Sequence, residues 1–115
     1  MLIRSQDKRM IVNFDNICTV SAFPEKDSED IYVEDGTGSL MVGRYSAKEK
    51  AMKVLDMIQE AYEDAALIPM AVPNIGKMFA EAPVSKENEL LAEAIGEVLM
   101  NKMVFQMPED GSVEI

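Results

Sequence analysis

The sequence predicts an α+β domain in which an antiparallel sheet of five or six strands, able to curl strongly, carries a capped amphipathic helix on one face and a second, C-terminal helix beside it. Three observations predict it. Short β-branched and aromatic stretches separated by Asp, Asn, Gly and Pro fill residues 1–45, apolar residues at spacings of three and four follow Ser46, and a second helical pattern opens at Ser85. With 115 residues, 48% of them apolar, the chain is the size of a single domain with one modest core.

Leu2 to Arg4 and Met10 to Asn13 flank the charged turn Gln6-Asp7-Lys8 and read as a hairpin. Ile17 to Phe23 follows Asp15-Asn16 and reads as a third strand, ended by Pro24, which has no amide to donate to a ladder. After the solvated loop Glu25 to Asp30, Ile31 to Glu34 and Leu40 to Tyr45 flank Asp35-Gly36-Thr37-Gly38-Ser39, a second hairpin. Alternation sets Ile31 with Val33, and Leu40 with Val42, on the dry face of the sheet.

The helix expected over 46–66 opens with the capping box Ser46-x-x-Glu49 and lines up Ala51, Val54, Leu55, Ile58, Tyr62 and Ala65 on one face, which should cover the sheet. From 67 to 84, Pro69, Pro73, Gly76 and Pro83 predict an irregular, partly packed connector. Ser85 caps a helix over 85–101, with Leu91, Ala94, Ile95, Val98 and Leu99 on one side; Gly96 weakens it. Residues 103–107 read as a last strand ended by Pro108, and 108–115 as an acidic tail.

Charge narrows the function classes. Residues 1–57 hold eight Lys/Arg against ten Asp/Glu, and residues 58–115 three against eleven, so −8 of the net −10 sits in the second half. Such a surface repels phosphate backbones and anionic membranes, which disfavours direct nucleic-acid binding but suits a basic partner. No apolar run reaches the ~18 residues of a membrane span, and charge enters too early for a signal peptide. A single cysteine, Cys18, makes no internal disulfide, and a cytoplasmic setting is expected.

Candidate chemistry is sparse. Histidine, the commonest general base and zinc ligand, is absent. Asp27-Ser28-Glu29-Asp30 lacks the glycine and terminal glutamate of a calcium loop, so no metal or cofactor is expected. Gly36-Thr37-Gly38 leads into a strand and not a helix, which makes it a hairpin turn instead of a phosphate cradle. Cys18, in a strand pattern with Val20 and Ala22, is expected as a buried structural thiol. Ten methionines, seven of them from Met52 onward, fit either core filling or an adaptable partner surface. The partner-surface candidates are Met70, Met78 and Phe79 in the connector and Glu87, Glu93 and Glu97 on the second helix.

Leu2-Ile3-Arg4-Ser5-Gln6-Asp7-Lys8, Val12 to Ile17, Gly43-Arg44-Tyr45-Ser46 followed by Glu49 to Leu55, and Val104-Phe105-Gln106-Met107-Pro108 together resemble small uncharacterised proteins of phages and mobile elements of Gram-positive bacteria. The resemblance covers about half the chain and implies a bacterial setting, with no catalytic residue attached. The leading expectation is a non-enzymatic protein-interaction or regulatory module that meets a protein partner or a second copy of itself. The alternatives are an acidic nucleic-acid mimic that occupies a basic groove, and a small-ligand binder or enzyme with a pocket between helix and sheet.

Overall fold

A computed structural model describes residues 1–101 and 103–115, with the side chains of Ala71, Val72, Ile75, Phe79 and Met100 outside the description. The expected α+β class is present, but the strands form two three-stranded sheets and not one of five or six. In the first, β1 (Leu2–Arg4) pairs antiparallel with β2 (Ile11–Asn13) and parallel with β6 (Val104–Gln106), in the order β2-β1-β6. The parallel pairing departs from the all-antiparallel expectation. It arises because a return through two helices delivers β6 beside β1 in the same direction, as crossover connections do.

The second sheet, β3 (Thr19–Pro24), β4 (Glu29–Glu34) and β5 (Ser39–Tyr45), is an antiparallel meander. Asp35 Oδ1 fixes its β4–β5 turn by accepting from Thr37 N and Gly38 N, and Gly36 takes φ 92°, the left-handed geometry glycine adopts without strain. β5 bulges at Val42, since Ile31 pairs with Gly43 and Tyr32 with Met41. There Gly43 is required for space: a Cβ would lie 2.9 Å from Tyr45 Cε2 and 3.0 Å from Met107 Cε. Cys18 precedes β3 at a bend and is exposed, because the chain leaves a 3-10 turn at Phe14–Asn16 just before it; the buried-thiol expectation is corrected.

The sheets are joined by side chains. Gln6 imitates a strand rung, accepting from Arg44 N at 2.8 Å and donating to Arg44 O at 3.0 Å, while its own amide donates to Val42 O. Within the first sheet Gln106 Nε2 donates to Ser5 O, and from the second sheet the buried Tyr45 hydroxyl donates to Pro108 O, just past β6, at 2.8 Å. Burial pushes the Tyr45 phenol far above its usual range, with Asp110 adding to the effect, so the group stays a donor. One core spans both sheets: Ile3, Val12, Ile31, Val33, Val42, Tyr45 and Met107 meet Ala51, Val54 and Ile58 of the first helix.

That helix, α1 (Lys48–Glu81), spans 34 residues where 46–66 was expected. Its apolar stripe does cover the sheets, as the spacing requires, with Phe14 against Tyr62 at 5.1 Å between ring centroids. The capping box is not used. Ala47 is the N-cap with no side-chain bond, because Ser46 has a partner 64 residues away: its N and Oγ both donate to Asp110 Oδ1. The expected tail at 108–115 is accordingly packed, with Val113 buried and Lys50 bridged to Asp110 at 3.6 Å. Ser46 and Lys50 hold the Asp110 carboxyl below its ordinary range.

The irregular connector at 67–84 is also corrected: helix runs through Pro69 and Pro73 to Glu81. Proline at i and i+4 removes two amide donors from one side of the helix, where both rings are exposed; α2 (Lys86–Asn101) follows. The turn between them is set by Pro83, which drives Ala82 to an extended ψ of 148°. Ser85 caps α2 as expected, its Oγ accepting from Asn88 N at 3.1 Å.

Candidate interaction surface

By its first four turns α1 has left the sheets, and from about Glu63 onward it forms with α2 a helical hairpin. At ~1.5 Å per residue the free part of α1 is roughly 28 Å long and α2 roughly 24 Å. This arm accounts for the elongation of the molecule, 60 × 31 × 22 Å. Its inner seam is made by Ala61, Ala65 and Ile68 of α1 and Ala92, Ile95 and Leu99 of α2, all partly buried.

A second set of apolar side chains faces solvent. On α1, Leu67, Met70, Asn74 and Met78 follow i, i+3, i+7, i+11, and Met70 is 71% exposed. On α2, Leu91, Ala94 and Val98 follow i, i+3, i+7 with Leu90 alongside, and Leu91 is 53% exposed. Residues turn by about 100° each, so Leu67, Asn74 and Met78 lie roughly 105–145° from the inner face of α1 and Leu91, Ala94 and Val98 roughly 75–135° from that of α2, while Met70 and Leu90 point almost directly away from the neighbouring helix. Because the helices run antiparallel, both rotations lead to the same side of the hairpin. Glu89, Glu93 and Glu97, at i, i+4, i+8 and all exposed, turn to the opposite side.

The residues expected to form one partner surface therefore divide. Met78 is on the apolar face, with Glu87 at its tip and Met70 at the outer edge of α1, whereas Glu93 and Glu97 belong to the acidic face behind it. Phe79 lies on α1 with its side chain outside the described residues. Leu67, Leu91, Ala94 and Val98 complete the face; the sequence set Leu91, Ala94 and Val98 on one side of the second helix without assigning them to a partner surface. A signal existed: the apolar arc of α2 from Leu90 round to Leu99 is wider than the ~100° one packing partner uses.

Elsewhere the surface offers less. An open cleft of about 270 Å³ lies at the arm's base among Asp15, Tyr62, Ala65, Ile68 and Met103. A second, about 250 Å³, crosses the outer face of the β3-β4-β5 sheet, where Phe23 meets Tyr32 edge-on at 6.5 Å. Tyr32 donates to Glu25 at 3.4 Å, and its phenol is raised first by partial desolvation and then by Glu25. Both clefts are smaller than the ~300–1,000 Å³ usual for small-molecule sites. Among the described residues no three Cys, Asp or Glu side chains converge as a metal set, and no helix is long and apolar enough to cross a membrane.

Comparison with protein-family models, curated proteins and solved structures finds no match to this chain.

Proposed function

We propose that this protein is a non-enzymatic interaction module, regulatory within a phage or mobile element, whose working surface is the hairpin of α1 and α2. The observation that supports it is the exposed apolar side of that hairpin: Leu67, Met78, Leu91 and Val98 are each more than half exposed. Helix pairs that project from a body expose such side chains at a cost, which docking recovers.

The test is the mass of the assembly by size-exclusion chromatography with light scattering, for purified protein and for protein exposed to bacterial lysate. Wild type is compared with the double variant Met78→Glu/Leu91→Glu. The reading expects an assembly of defined mass that the variant does not form. A mass of 12.8 kDa in both settings refutes it.

A second reading, the acidic mimic of nucleic acid, draws on the ridge Glu89, Glu93, Glu97, whose carboxylates repeat every ~6 Å along α2. It predicts salt-sensitive binding to a basic protein that Glu93→Lys/Glu97→Lys abolishes. Binding indifferent to salt rejects it.

A further inference from the structure

We infer that the open edge of β3, with the sheet face beside it, docks an extended basic peptide segment that adds a strand to the β3-β4-β5 sheet and lays an arginine or lysine side chain over Ser21. This surface is separate from the hairpin, and the inference stands independently of the hairpin's proposed role.

The backbone supplies the first argument. In an antiparallel pair, residues that exchange bonds with the partner strand alternate with residues whose N–H and C=O point away. Glu25 N donates to Ser28 O where the hairpin closes, and counting back along the register puts Phe23–Asp30, Ser21–Tyr32 and Thr19–Glu34 at the bonded positions. Val20 and Ala22 therefore direct their N–H and C=O groups to the free side, and Pro24 adds an acceptor without a donor. Among the described residues no backbone group outside the sheet bonds to Val20 or Ala22. The opposite edge of the sheet differs, since at β5 Gln6 fills the rung at Arg44 and its amide takes Val42 O. Free donors and acceptors at strand spacing are complementary to another extended chain.

Side chains supply the second. Alternation sets Thr19, Ser21 and Phe23 of β3 on the outer face with Asp30, Tyr32 and Glu34 of β4. A strand added ~4.8 Å from β3 places one of its outward side chains beside Ser21, with Tyr32 one strand further on. Ser21 is small, and the cleft of about 250 Å³ opens over it, bounded by Phe23, Glu25, Tyr32, Glu34 and Ser39. That volume suits one long side chain. The edge-on pair of Phe23 and Tyr32, with Phe23 58% exposed, offers ring surface to the stem of such a side chain and π faces to its cation.

Charge selects the sign. The charged groups on or beside this face are Glu25, Asp30, Glu34 and Arg44, with Lys26 and Asp27 in the turn. Arg44 is held by Asp30 at 3.0 Å, and Lys26 and Asp27 cancel in net charge, which leaves Glu25 and Glu34 uncompensated at the two ends of the cleft. Their hydroxyl contacts, Tyr32 to Glu25 and Thr19 to Glu34, are both long at 3.4 Å and are easily exchanged for a cation. An acidic side chain is repelled from the same place.

The experiment is fluorescence anisotropy of a fluorescein-labelled peptide of alternating Val and Arg, titrated with the full chain. It is compared with a peptide of alternating Val and Glu, and with the Val-and-Arg peptide N-methylated throughout. The protein variants are Phe23→Ala, Glu25→Gln/Glu34→Gln and the charge-matched control Glu93→Gln/Glu97→Gln; all five positions are exposed, and circular dichroism checks that each keeps its fold. Docking predicts saturable binding of the Val-and-Arg peptide to wild type and control, weakened about tenfold or more by either sheet variant and by N-methylation, and no binding of the Val-and-Glu peptide. Absence of saturable binding to wild type overturns the inference, as does equal binding of the acidic peptide. A loss matched by Glu93→Gln/Glu97→Gln reduces it to diffuse attraction and also overturns it, and undiminished binding of the N-methylated peptide overturns strand addition.

Discussion

Asp30→Asn perturbs the body of the protein at one buried charge. The Asp30 side chain is 0% exposed, one layer beneath an Arg44 side chain that is 62% exposed. Its carboxylate accepts from Arg44 Nε at 3.1 Å and Nη2 at 3.0 Å across the β4–β5 pair, and from Ser28 Oγ at 2.9 Å. Hydrogen bonds to charged groups contribute ~1.5–3 kcal/mol each when buried; because the guanidinium is well solvated, the pair is taken at about 2 kcal/mol in all. At ~2.1 cal/mol/K of unfolding entropy per residue, that lowers the melting temperature by roughly 8 °C.

The pH dependence has a definite sign. Arg44, ahead of Ser28, holds the Asp30 carboxyl below its usual 3.8, so its contribution is present above that value and is lost as pH falls through the lower folded-state value. Thermal melts followed by circular dichroism at pH 7 and in steps down to about pH 2.5 should therefore show the gap between wild type and Asp30→Asn closing with acidification. A gap under ~0.5 kcal/mol at pH 7, or one that stays constant with pH, refutes the assignment.

Three further substitutions separate the sources of stability. Gly43→Ala places a methyl against the Tyr45 ring and Met107, and should lower the urea midpoint by the equivalent of ~1–3 kcal/mol; a neutral result contradicts the packing described there. Gln6→Ala leaves Arg44 N and O without their rung and should cost about 1 kcal/mol, with faster hydrogen exchange at the Arg44 amide as its local signature. Gly96→Ala meets open space and should stabilise α2 by up to ~1 kcal/mol, seen as slower amide exchange over Leu90 to Leu99; faster exchange there counts against the helix.

Local chemistry made most of the secondary structure readable. Alternation marked β4 and β5, the i, i+3, i+4 stripe from Ala51 to Ile58 marked the buried face of α1, and Ser85 announced α2. What could not be read depends on partners far apart in the chain. The parallel pairing of Ile3 with Phe105 divides the strands into two sheets, and no neighbouring residue records it. Ser46 looked like an N-cap because its sequence context satisfies the capping box, yet Asp110 competes for its hydroxyl. Pro69 and Pro73 looked like breaks because each removes a helical bond, yet the cost falls on one exposed side of a helix whose first turns are anchored in the core.

The candidate surface was half legible for the same reason. Met70 and Met78 stood out by type, but which side of α2 faces α1 is fixed by the hairpin's geometry. Only that geometry separates Leu91, Ala94 and Val98 from Ile95 and Leu99, and both sets from the glutamates behind them.

The most direct measurement is light scattering of wild type, Met78→Glu/Leu91→Glu and the acidic-face control Glu93→Lys/Glu97→Lys in the presence of bacterial lysate, since all four positions are exposed. The account predicts an assembly of defined mass in wild type and control that the apolar-face variant does not form. A wild type that stays at 12.8 kDa, or an assembly indifferent to Met78→Glu/Leu91→Glu, would contradict it.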